Sequence, residues 1–255
     1  MSAIDKFQND AKHISSTLNV SGRFSFQEEA MKLVVGDIVQ KLKIKPTDEL
    51  LDIGCNCGDL TIPLSFFGKN VTGIDGKSTI ERMENRIQGI SNITTISGDF
   101  MTINVEKKYD CILAYSVLVY LESYQEKLQF VLKAAECLKP GGRLLVGDVV
   151  NLSRKNRFKS TNIGRKIDLE YNQKMNCLTE EDKKSHAYSK EMDGLWILDD
   201  EYLMKLLLEV RNHGYESYLL PQKHELPFGY TRDDILICAW GIKEGERCIL
   251  QYCRY

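Results

Sequence analysis

The sequence has no long apolar segment and little imbalance of charge. Its longest nearly apolar stretch, Ile112 to Leu121, is interrupted by Ser116 and covers only half of the roughly 20 residues that cross a bilayer. The first ten residues include Asp5, Lys6 and Asp10 and lack the apolar core of a signal peptide. With 34 Lys and Arg against 36 Asp and Glu, the net charge is −2. The sequence therefore predicts a cytoplasmic protein without a membrane span, and not one whose whole surface binds nucleic acid.

Proline is scarce, at 5 residues, and the 8 cysteines are scattered rather than arranged as in a small disulfide-linked domain. A chain of 255 residues buries roughly 70–75% of its unfolded surface, so its core needs neither disulfides nor metals. Cys55 and Cys57 form a Cys-x-Cys pair, but no second pair with zinc spacing follows. We therefore expect reduced cysteines and no metal site.

Short strands alternate with helical patterns along the first 150 residues. Apolar residues at helical spacing predict a helix over 26–42, which ends before Pro46. Further helices are predicted at 60–67, 78–87 and 124–137, and strands at 49–53, 70–74, 93–96, 109–115 and 143–150. This alternation is typical of a parallel sheet covered on both faces.

The pattern is interrupted over 151–198, where polar and charged residues dominate and no period emerges. It resumes with a helix that Asp199 or Asp200 can cap, and two strands follow at 216–220 and 234–241. The connection between these strands has no helical period, which favours an antiparallel pair at the sheet edge. We expect a single domain over 1–255, with an N-terminal cap at 1–25 and a substrate-recognition insertion at 151–198.

The strongest signal for a ligand site follows the first strand, from Asp52 to Asp59. A strand that enters a tight glycine turn and opens a helix lets the backbone approach a nucleotide closely. A dinucleotide-binding turn would need glycine at positions 54, 56 and 59, but only Gly54 meets this requirement. Asp52 and Asp59 would repel a pyrophosphate, whereas they would attract a cationic ligand.

S-adenosylmethionine (SAM), with its sulfonium and ammonium groups, meets this charge requirement. Asp52 to Gly58 resembles the Asp/Glu-x-Gly-x-Gly-x-Gly motif of class I SAM-dependent methyltransferases. Asn56 replaces the middle glycine, and asparagine is among the few residues that tolerate a positive φ. Further segments are similar to later motifs of the family and follow in its order: Val71 to Gly76, Ser97 to Phe100, Tyr109 to Leu118, and Leu138 to Leu144.

The resemblance implies a Rossmann-like α/β fold, with a mostly parallel seven-stranded sheet, an antiparallel edge strand and helices on both faces. It implies SAM as cofactor and S-adenosylhomocysteine (SAH) as product. Asp75 would bind both ribose hydroxyls and Asp99 the adenine amine, although a helix cap and a turn are their structural alternatives. The residues that the resemblance assigns to the cofactor are Asp52, Gly54, Cys55, Asn56, Gly58, Asp75, Gly76, Asp99, Phe100 and Tyr115.

A basic cluster opens the insertion, with six cations and no carboxylate over 154–166. It follows the carboxyl end of the fifth predicted strand, where open α/β sheets bind ligands. A small anionic substrate would explain the cluster, and a solvated basic surface is the alternative. The residues expected to bind this acceptor are Arg154, Lys155, Arg157, Arg165 and Gln222.

A finer resemblance concerns a bacterial subgroup of methyltransferases associated with surface-polysaccharide (capsule or O-antigen) biosynthesis. Gly147 to Asn151, the basic cluster, Leu219 to Gln222 and Arg232 to Ile237 are similar to segments of that subgroup. The resemblance implies O-methylation of a nucleotide-linked sugar or a phosphoramidate precursor.

An O-methyltransferase can use a general base, and the candidates are His224, Tyr115 and Asp148. An acceptor oxygen that is already anionic would need none. Two other functions stay open, an RNA methyltransferase, which the basic cluster favours, and a catalytically silent SAM-binding scaffold. No Asn-Pro-Pro-Tyr motif follows the fourth predicted strand, where Ala114 to Val117 stands, so we expect no nucleic-acid partner.

Overall fold

The computed structural model describes residues 3–190 and 198–241, so the ends of the predicted 1–255 domain and part of the 151–198 insertion lie outside the described residues. Its centre is a seven-stranded sheet in the order β3-β2-β1-β4-β5-β7-β6. The strands are β1 Glu49–Ile53, β2 Asn70–Asp75, β3 Ile93–Ser97, β4 Tyr109–Tyr115, β5 Leu138–Val150, β6 Glu216–Pro221 and β7 Arg232–Cys238. Neighbouring strands pair in parallel except at β7, which runs antiparallel to both β5 and β6. The predicted fold class is confirmed, with β6 outermost and the antiparallel strand one place inward.

Helices cover both faces of this sheet. The N-terminal cap contains α1 Ala3–His13 and α2 Thr17–Val20, and the helices between strands are α3 Glu28–Leu42, α4 Thr61–Leu64, α5 Lys77–Arg86 and α6 Tyr124–Glu136. The insertion contributes α7 Leu152–Ser160, α8 Asn162–Met175 and α9 Glu180–Lys190, and α10 Asp200–Asn212 precedes β6. Within the described residues, no helix is long and apolar enough to cross a membrane.

Successive residues of β1 enter different core layers, because side chains alternate across a strand. Leu50 packs in a cluster with Val34 and Ile38 of α3. Leu51 packs in the opposite cluster, which includes Val131 of α6 and residues of α10. Burial on both faces explains why the central strands read as nearly continuous apolar runs.

The insertion is helical, whereas the sequence showed no period there. α7 has no buried residue and α8 buries only Gly164, so neither helix has the apolar stripe from which a helical period is read. Polar caps begin both helices instead, since Asn151 accepts from the Arg154 N–H and Thr161 from the Gly164 N–H.

Two predicted boundaries were also wrong. The helix expected at 60–67 is the single turn α4, because the backbone bonds after it change to the i→i−3 type, as from Phe66 N–H to Pro63 O. β5 begins at Leu138 rather than Arg143, because Tyr109 pairs with Leu138 before the register shifts to Cys111 with Arg143. The Pro-Gly-Gly at 140–142 therefore forms an irregularity within the strand and not a turn before it.

Candidate active site

A cavity of about 560 Å³ lies at the carboxyl ends of β1, β2 and β4. Parallel strands end at the same edge of a sheet, so the segments that follow them converge there. The turn after β1, the end of β2 and the loops after β3 and β4 form most of the wall. The N-terminal cap closes part of it with Phe7, Ser21 and Arg23. Of the ten residues assigned to the cofactor from the sequence, all except Gly58 lie on this wall.

The turn after β1 has the backbone conformation that the sequence predicted. Gly54, Asn56 and Gly58 have φ values of +76°, +50° and +86°. The Asn56 side chain fixes its own turn, because Oδ1 accepts from the Cys57 N–H at 2.7 Å and Nδ2 donates to Val20 O at 3.3 Å. Gly58 is needed for packing rather than for the wall, since a Cβ there would lie 2.9 Å from Met83 Cγ.

Asp75, at the end of β2, is held by its surroundings. Its carboxylate accepts from the Asn56 N–H at 2.7 Å, the Gly76 N–H at 2.6 Å and the Thr79 hydroxyl at 2.8 Å. A carboxylate has about four acceptor sites, so these bonds leave room for about one more donor. Two ribose hydroxyls would therefore displace one of the internal bonds. The bonds from Gly76 and Thr79, at the start of α5, also give Asp75 part of the helix-capping role that was its structural alternative.

Asp52 is a buried and Asp75 a half-buried carboxyl group, and neither has a cationic partner among the described residues. Asp52 is 3% exposed and accepts from the Thr61 hydroxyl at 2.6 Å. Burial, with a smaller contribution from Asp75, raises the pKa of Asp52 to about 7. Burial also raises the pKa of Asp75. Because the ionised forms are disfavoured without a counter-charge, a cationic ligand would stabilise this part of the cavity.

The wall near β3 is formed by a turn and an aromatic ring. Asp99 Oδ1 accepts from the Met101 N–H at 2.9 Å, so its side chain does take the turn-forming role that was the alternative. The Phe100 ring is buried and packs edge-on against Phe130, with centroids 5.4 Å apart. Both Asp99 and Phe100 still reach the cavity wall, together with Gly98 and Met101.

The other end of the cavity contains Arg23, which the sequence analysis did not single out. Its Nη2 donates to the Ser116 hydroxyl at 2.6 Å and to Asp148 Oδ2 at 2.5 Å. Ser116 also donates to Asp148 at 2.6 Å. Arg23 and Asp148 are 125 positions apart in the chain, so no local pattern links them. The positive φ values of Ser116 and Asp148, +60° and +58°, are likewise tertiary features.

The structure does not favour any of the three predicted bases. Burial alone would raise the pKa of Asp148, but Arg23 and Arg232 hold it below its usual range, so this carboxylate is a weak base. Burial, then the charges of Asp148 and Asp234, raise the pKa of Tyr115, so its phenol keeps its proton. His224 is exposed, stacks on Tyr230 with centroids 4.6 Å apart, and is not on the cavity wall.

The predicted acceptor residues have other partners. Arg154 pairs with Asp233 at 2.8 Å, Arg157 pairs with Asp200, and Arg165 donates to Ser160 O and Asn162 Oδ1. None of these three side chains is on the cavity wall. The solvated surface therefore describes Arg157 and Arg165 better than the acceptor-binding interpretation does.

Gln222 and Lys155 lie closer to the cavity end. Gln222 is buried behind Tyr115, where its Nε2 donates to the Tyr115 hydroxyl at 3.3 Å and to Asp234 at 2.9 Å. Lys155 is half-buried, and its pKa is lowered by burial and by Lys159 and Arg232. Within 3–190 and 198–241, no group of three or more His, Cys, Asp or Glu could hold a metal ion.

A family model described as a methyltransferase domain matches residues 44–200. The chain belongs to this methyltransferase domain family. Among curated relatives of this methyltransferase, the ubiquinone biosynthesis O-methyltransferase of Rickettsia typhi is 28% identical over 178 residues, which cover 68% of this chain and 67% of that protein. The corresponding Rickettsia prowazekii protein is also 28% identical and is covered to 65% of its length.

Solved structures share the fold of the methyltransferase at low identity. Phosphoethanolamine N-methyltransferase 1 of Haemonchus contortus, in complex with phosphoethanolamine and SAH, superposes with a TM-score of 0.66 at 16% identity. The match covers 95% of this chain and 49% of the Haemonchus chain, so the methyltransferase spans about half of that protein. NodS of Bradyrhizobium japonicum, in complex with SAH, has a TM-score of 0.56 at 16% identity, and the match covers 93% of this chain and 97% of NodS.

The sequence-based expectation of a SAM-dependent methyltransferase is thus confirmed at the level of family and fold. The finer resemblance to the polysaccharide subgroup is not supported. The curated relatives are instead named for ubiquinone biosynthesis.

Proposed function

We propose that the protein is a SAM-dependent O-methyltransferase that acts on a small acceptor carrying negative charge. The observation that carries this proposal is the division of charge in one cavity. Among the described residues, Asp52 and Asp75 have no cationic partner at one end. At the other end, Arg23 and Arg232 share the single carboxylate of Asp148, which leaves one positive charge in excess. A cationic cofactor and an anionic acceptor would fit these two ends.

The cofactor end suits SAM in shape and charge. Gly54 has a positive φ and lies close to Val117, since a Cβ at this glycine would be 2.5 Å from Val117 Cγ2. Backbone can therefore approach a ligand where a side chain would not fit. Asp75 has room for one ligand hydroxyl, and Phe100 offers an apolar surface.

Bound SAM supplies a methyl group that its sulfonium makes electrophilic. The residues of the chain then have to align the acceptor oxygen and exclude water, and holding two reactants in an attack geometry can supply roughly 7–11 kcal/mol. Tyr115 and Ser116 bring hydroxyl groups to the wall beside Arg23. An anionic acceptor oxygen needs no base, which agrees with the surroundings of His224, Tyr115 and Asp148, none of which favours a role as a base.

A nucleotide-linked sugar or phosphoramidate precursor would carry the required charge, and the names of the curated relatives support transfer to oxygen. RNA is less compatible with a cavity of about 560 Å³ beneath the N-terminal cap, because RNA-modifying enzymes must admit an extruded nucleotide.

Cofactor binding is tested by Asp75→Asn. One carboxylate oxygen becomes an amide donor, so we expect SAH affinity to fall tenfold or more, equivalent to ~1.5–3 kcal/mol for a charge-assisted hydrogen bond. Isothermal titration calorimetry with SAH measures the effect. Asp168→Asn, which alters an exposed pair with Lys159, is the control. Unchanged affinity in a folded Asp75→Asn protein would place the cofactor elsewhere.

Methyl transfer itself is tested with labelled SAM and a panel of phosphorylated sugars, nucleotide sugars, phenolic acids and total RNA. Label in an acid- and phosphatase-stable methyl ether of an anionic small molecule is the expected product. Transfer to RNA alone would overturn the proposed acceptor class.

A further inference from the structure

Two guanidinium groups share one buried carboxylate behind the acceptor end of the cavity. Arg23 Nη2 lies 2.5 Å from Asp148 Oδ2, and Arg232 Nε lies 3.6 Å from Asp148 Oδ1. The side chains are 8%, 18% and 4% exposed for Arg23, Arg232 and Asp148. This cluster therefore has an excess of one positive charge in a place with little water.

The Arg232 side chain has no hydrogen bond to any described residue, and its buried Nε lies 3.6 Å from Asp148 Oδ1, beyond hydrogen-bond distance. The Nε of Arg23 is also buried and unpartnered. A guanidinium offers five N–H donors in a planar fork, and buried polar groups are nearly always hydrogen-bonded. Within residues 3–190 and 198–241 no side chain or backbone group supplies this partner for Arg232, and water or a ligand that accepts hydrogen bonds would complete its bonding.

The surroundings of Arg232 add charge and aromatic surface. The Phe228 ring lies near both guanidiniums, with its centroid 5.2 Å from Arg23 Cζ and 4.8 Å from Arg232 Cζ. Tyr171 of α8 packs beside Phe228, with centroids 6.2 Å apart. Lys155 of α7 is close enough for the charge of Arg232 to lower its pKa. The N-terminal cap, the insertion and β7 thus bring three cations to one place.

We propose that Arg232, flanked by Arg23 and Lys155, binds an oxyanion of the acceptor, a phosphate or a carboxylate. This inference rests on the proposed function and gives its acceptor a specific anchor. Arginine recognises such groups through planar, bidentate hydrogen bonds, and no described residue uses the forked donors of Arg232. Arg23 connects the anchor to the reaction cavity, because it touches Asp148 and also lies on the cavity wall. Asp148 is then a positioning residue that holds both guanidiniums.

The anchor differs from the basic cluster expected from the sequence. In that cluster Arg154 and Arg157 are neutralised by Asp233 and Asp200. Only Lys155 belongs to both sets. The two assignments therefore make opposite predictions for Arg157 and Arg232.

The experiment titrates inorganic phosphate and benzoate into the full-length, SAH-saturated protein by calorimetry, at constant ionic strength set with chloride. We expect saturable binding of at least one of these probes. Arg232→Gln should weaken it at least tenfold, Arg232→Lys less, and the matched control Arg157→Gln should stay within twofold of wild type. SAH affinity should be the same in all four proteins.

Folding is monitored by thermal unfolding of the same variants. The Arg232 side chain makes no hydrogen bond to a described residue and lies near another guanidinium, which offsets its 3.6 Å ion pair with Asp148 and its contact with Phe228. We therefore expect Arg232→Gln to melt close to wild type without added anions. Of the two probes, the one that binds more tightly indicates whether the oxyanion of the acceptor is a phosphate or a carboxylate.

Three results would overturn the inference. They are no saturable binding above chloride, equal binding by wild type and Arg232→Gln, and a loss of SAH affinity in Arg232→Gln that would assign the cluster to the cofactor. If wild type fails to bind SAH, the proposed function fails instead, and the same titrations on the free protein still decide the anion site.

Discussion

At the scale of single residues, the two carboxyl groups Asp52 and Asp75 set the chemistry of the cofactor end. Both were found from the sequence, because Asp52 lies near the end of the first predicted strand, Asp75 follows the second, and the charge of Asp52 disfavours a pyrophosphate. Their internal hydrogen bonds, to Thr61 and Thr79, were not. These bonds hold the carboxyl groups in place but leave their negative charge uncompensated.

Asp52 should make cofactor binding depend on pH. Its pKa, about 7 in the free protein, falls when a cation binds nearby, so SAM binding releases a proton. We expect SAM affinity to rise between pH 5.5 and pH 7.5 and to level off above the free-protein value. Calorimetry in two buffers of different ionisation enthalpy measures both the affinity and the proton release. In Asp52→Asn the affinity should be lower and its pH dependence flatter, and an equal slope in both proteins would contradict the assignment.

Other residues of the site were invisible in the sequence for a physical reason. Asn56 could be recognised because the motif, the turn and the tolerance of a positive φ are all local. Ser116 and Asp148 adopt the same unusual backbone region, but they are held there by Arg23 from the N-terminal cap. Contacts between segments that are far apart in the chain leave no periodic or motif signal.

At the scale of elements, α6 fixes the loop that follows β4. The Lys127 side chain is 1% exposed and its Nζ donates to the carbonyls of Leu118 and Leu121. That loop contributes Val117, Tyr120 and Leu121 to the cavity wall. A lysine on the buried face of an amphipathic helix breaks the apolar pattern, and here its ammonium donates to two backbone oxygens of the loop, of which Leu118 O also accepts from the Leu121 N–H.

Lys127→Met should remove the Nζ donor from both carbonyls, which leaves Leu121 O without its donor and Leu118 O with only the Leu121 N–H at 3.4 Å. We expect the free energy of unfolding to fall by about 1–3 kcal/mol, the usual cost of an unsatisfied buried polar group. Burial lowers the pKa of Lys127 to about 8, below its unfolded value. As the pH rises above 8 the folded protein no longer buries a charged ammonium, so the free energy of unfolding of the wild type increases. Urea denaturation at pH 7.5 and 9.5 should therefore show a larger deficit of the variant at the higher pH. Lys166→Met, at an exposed position, is the control, and a deficit that shrinks with pH would contradict this account.

The sequence predicted those elements well that pack an apolar face onto the sheet. All seven strands and helices α3, α5, α6 and α10 were located to within a few residues, apart from the start of β5. The three helices of the insertion were missed, because they lack a buried apolar stripe. Polar caps and aromatic contacts hold α7 and α8 in place instead. Periodicity reports burial, and an element with little burial does not show it.

At the scale of the whole molecule, hydrogen bonds tie the N-terminal cap to the insertion. Asp182 of α9 accepts from the Asn19 side chain at 2.7 Å, and from the Ser25 N–H and hydroxyl at 2.8 and 2.6 Å. It also accepts from the N–H and hydroxyl of Thr179. The sequence analysis placed the cap and the insertion as separate segments and had no means of pairing them.

Asp182→Ala should release this tie. Hydrogen bonds lower the pKa of Asp182 to about 2 although burial opposes them, so its stabilisation is present above about pH 4 and lost as the pH falls towards 2. At neutral pH we expect faster amide exchange at 14–27 and 179–185 in the variant, with β1 and β4 unchanged. Hydrogen–deuterium exchange measures this directly. Glu180→Ala, at an exposed position of the same helix, is the control. Unaltered exchange in both segments would show that other contacts hold the cap.

The cavity wall also has a kinetic consequence. Its described residues include six carboxyl groups, Asp52, Asp59, Asp75, Asp99, Glu122 and Glu126, against one guanidinium, Arg23. Such a mouth attracts cations over roughly a Debye length, and salt weakens that attraction. SAM carries one net positive charge, whereas SAH, which has lost the sulfonium, carries none. The same wall therefore speeds the arrival of fresh cofactor but gives the spent one no long-range attraction, so a change of one charge helps the protein to exchange product for substrate.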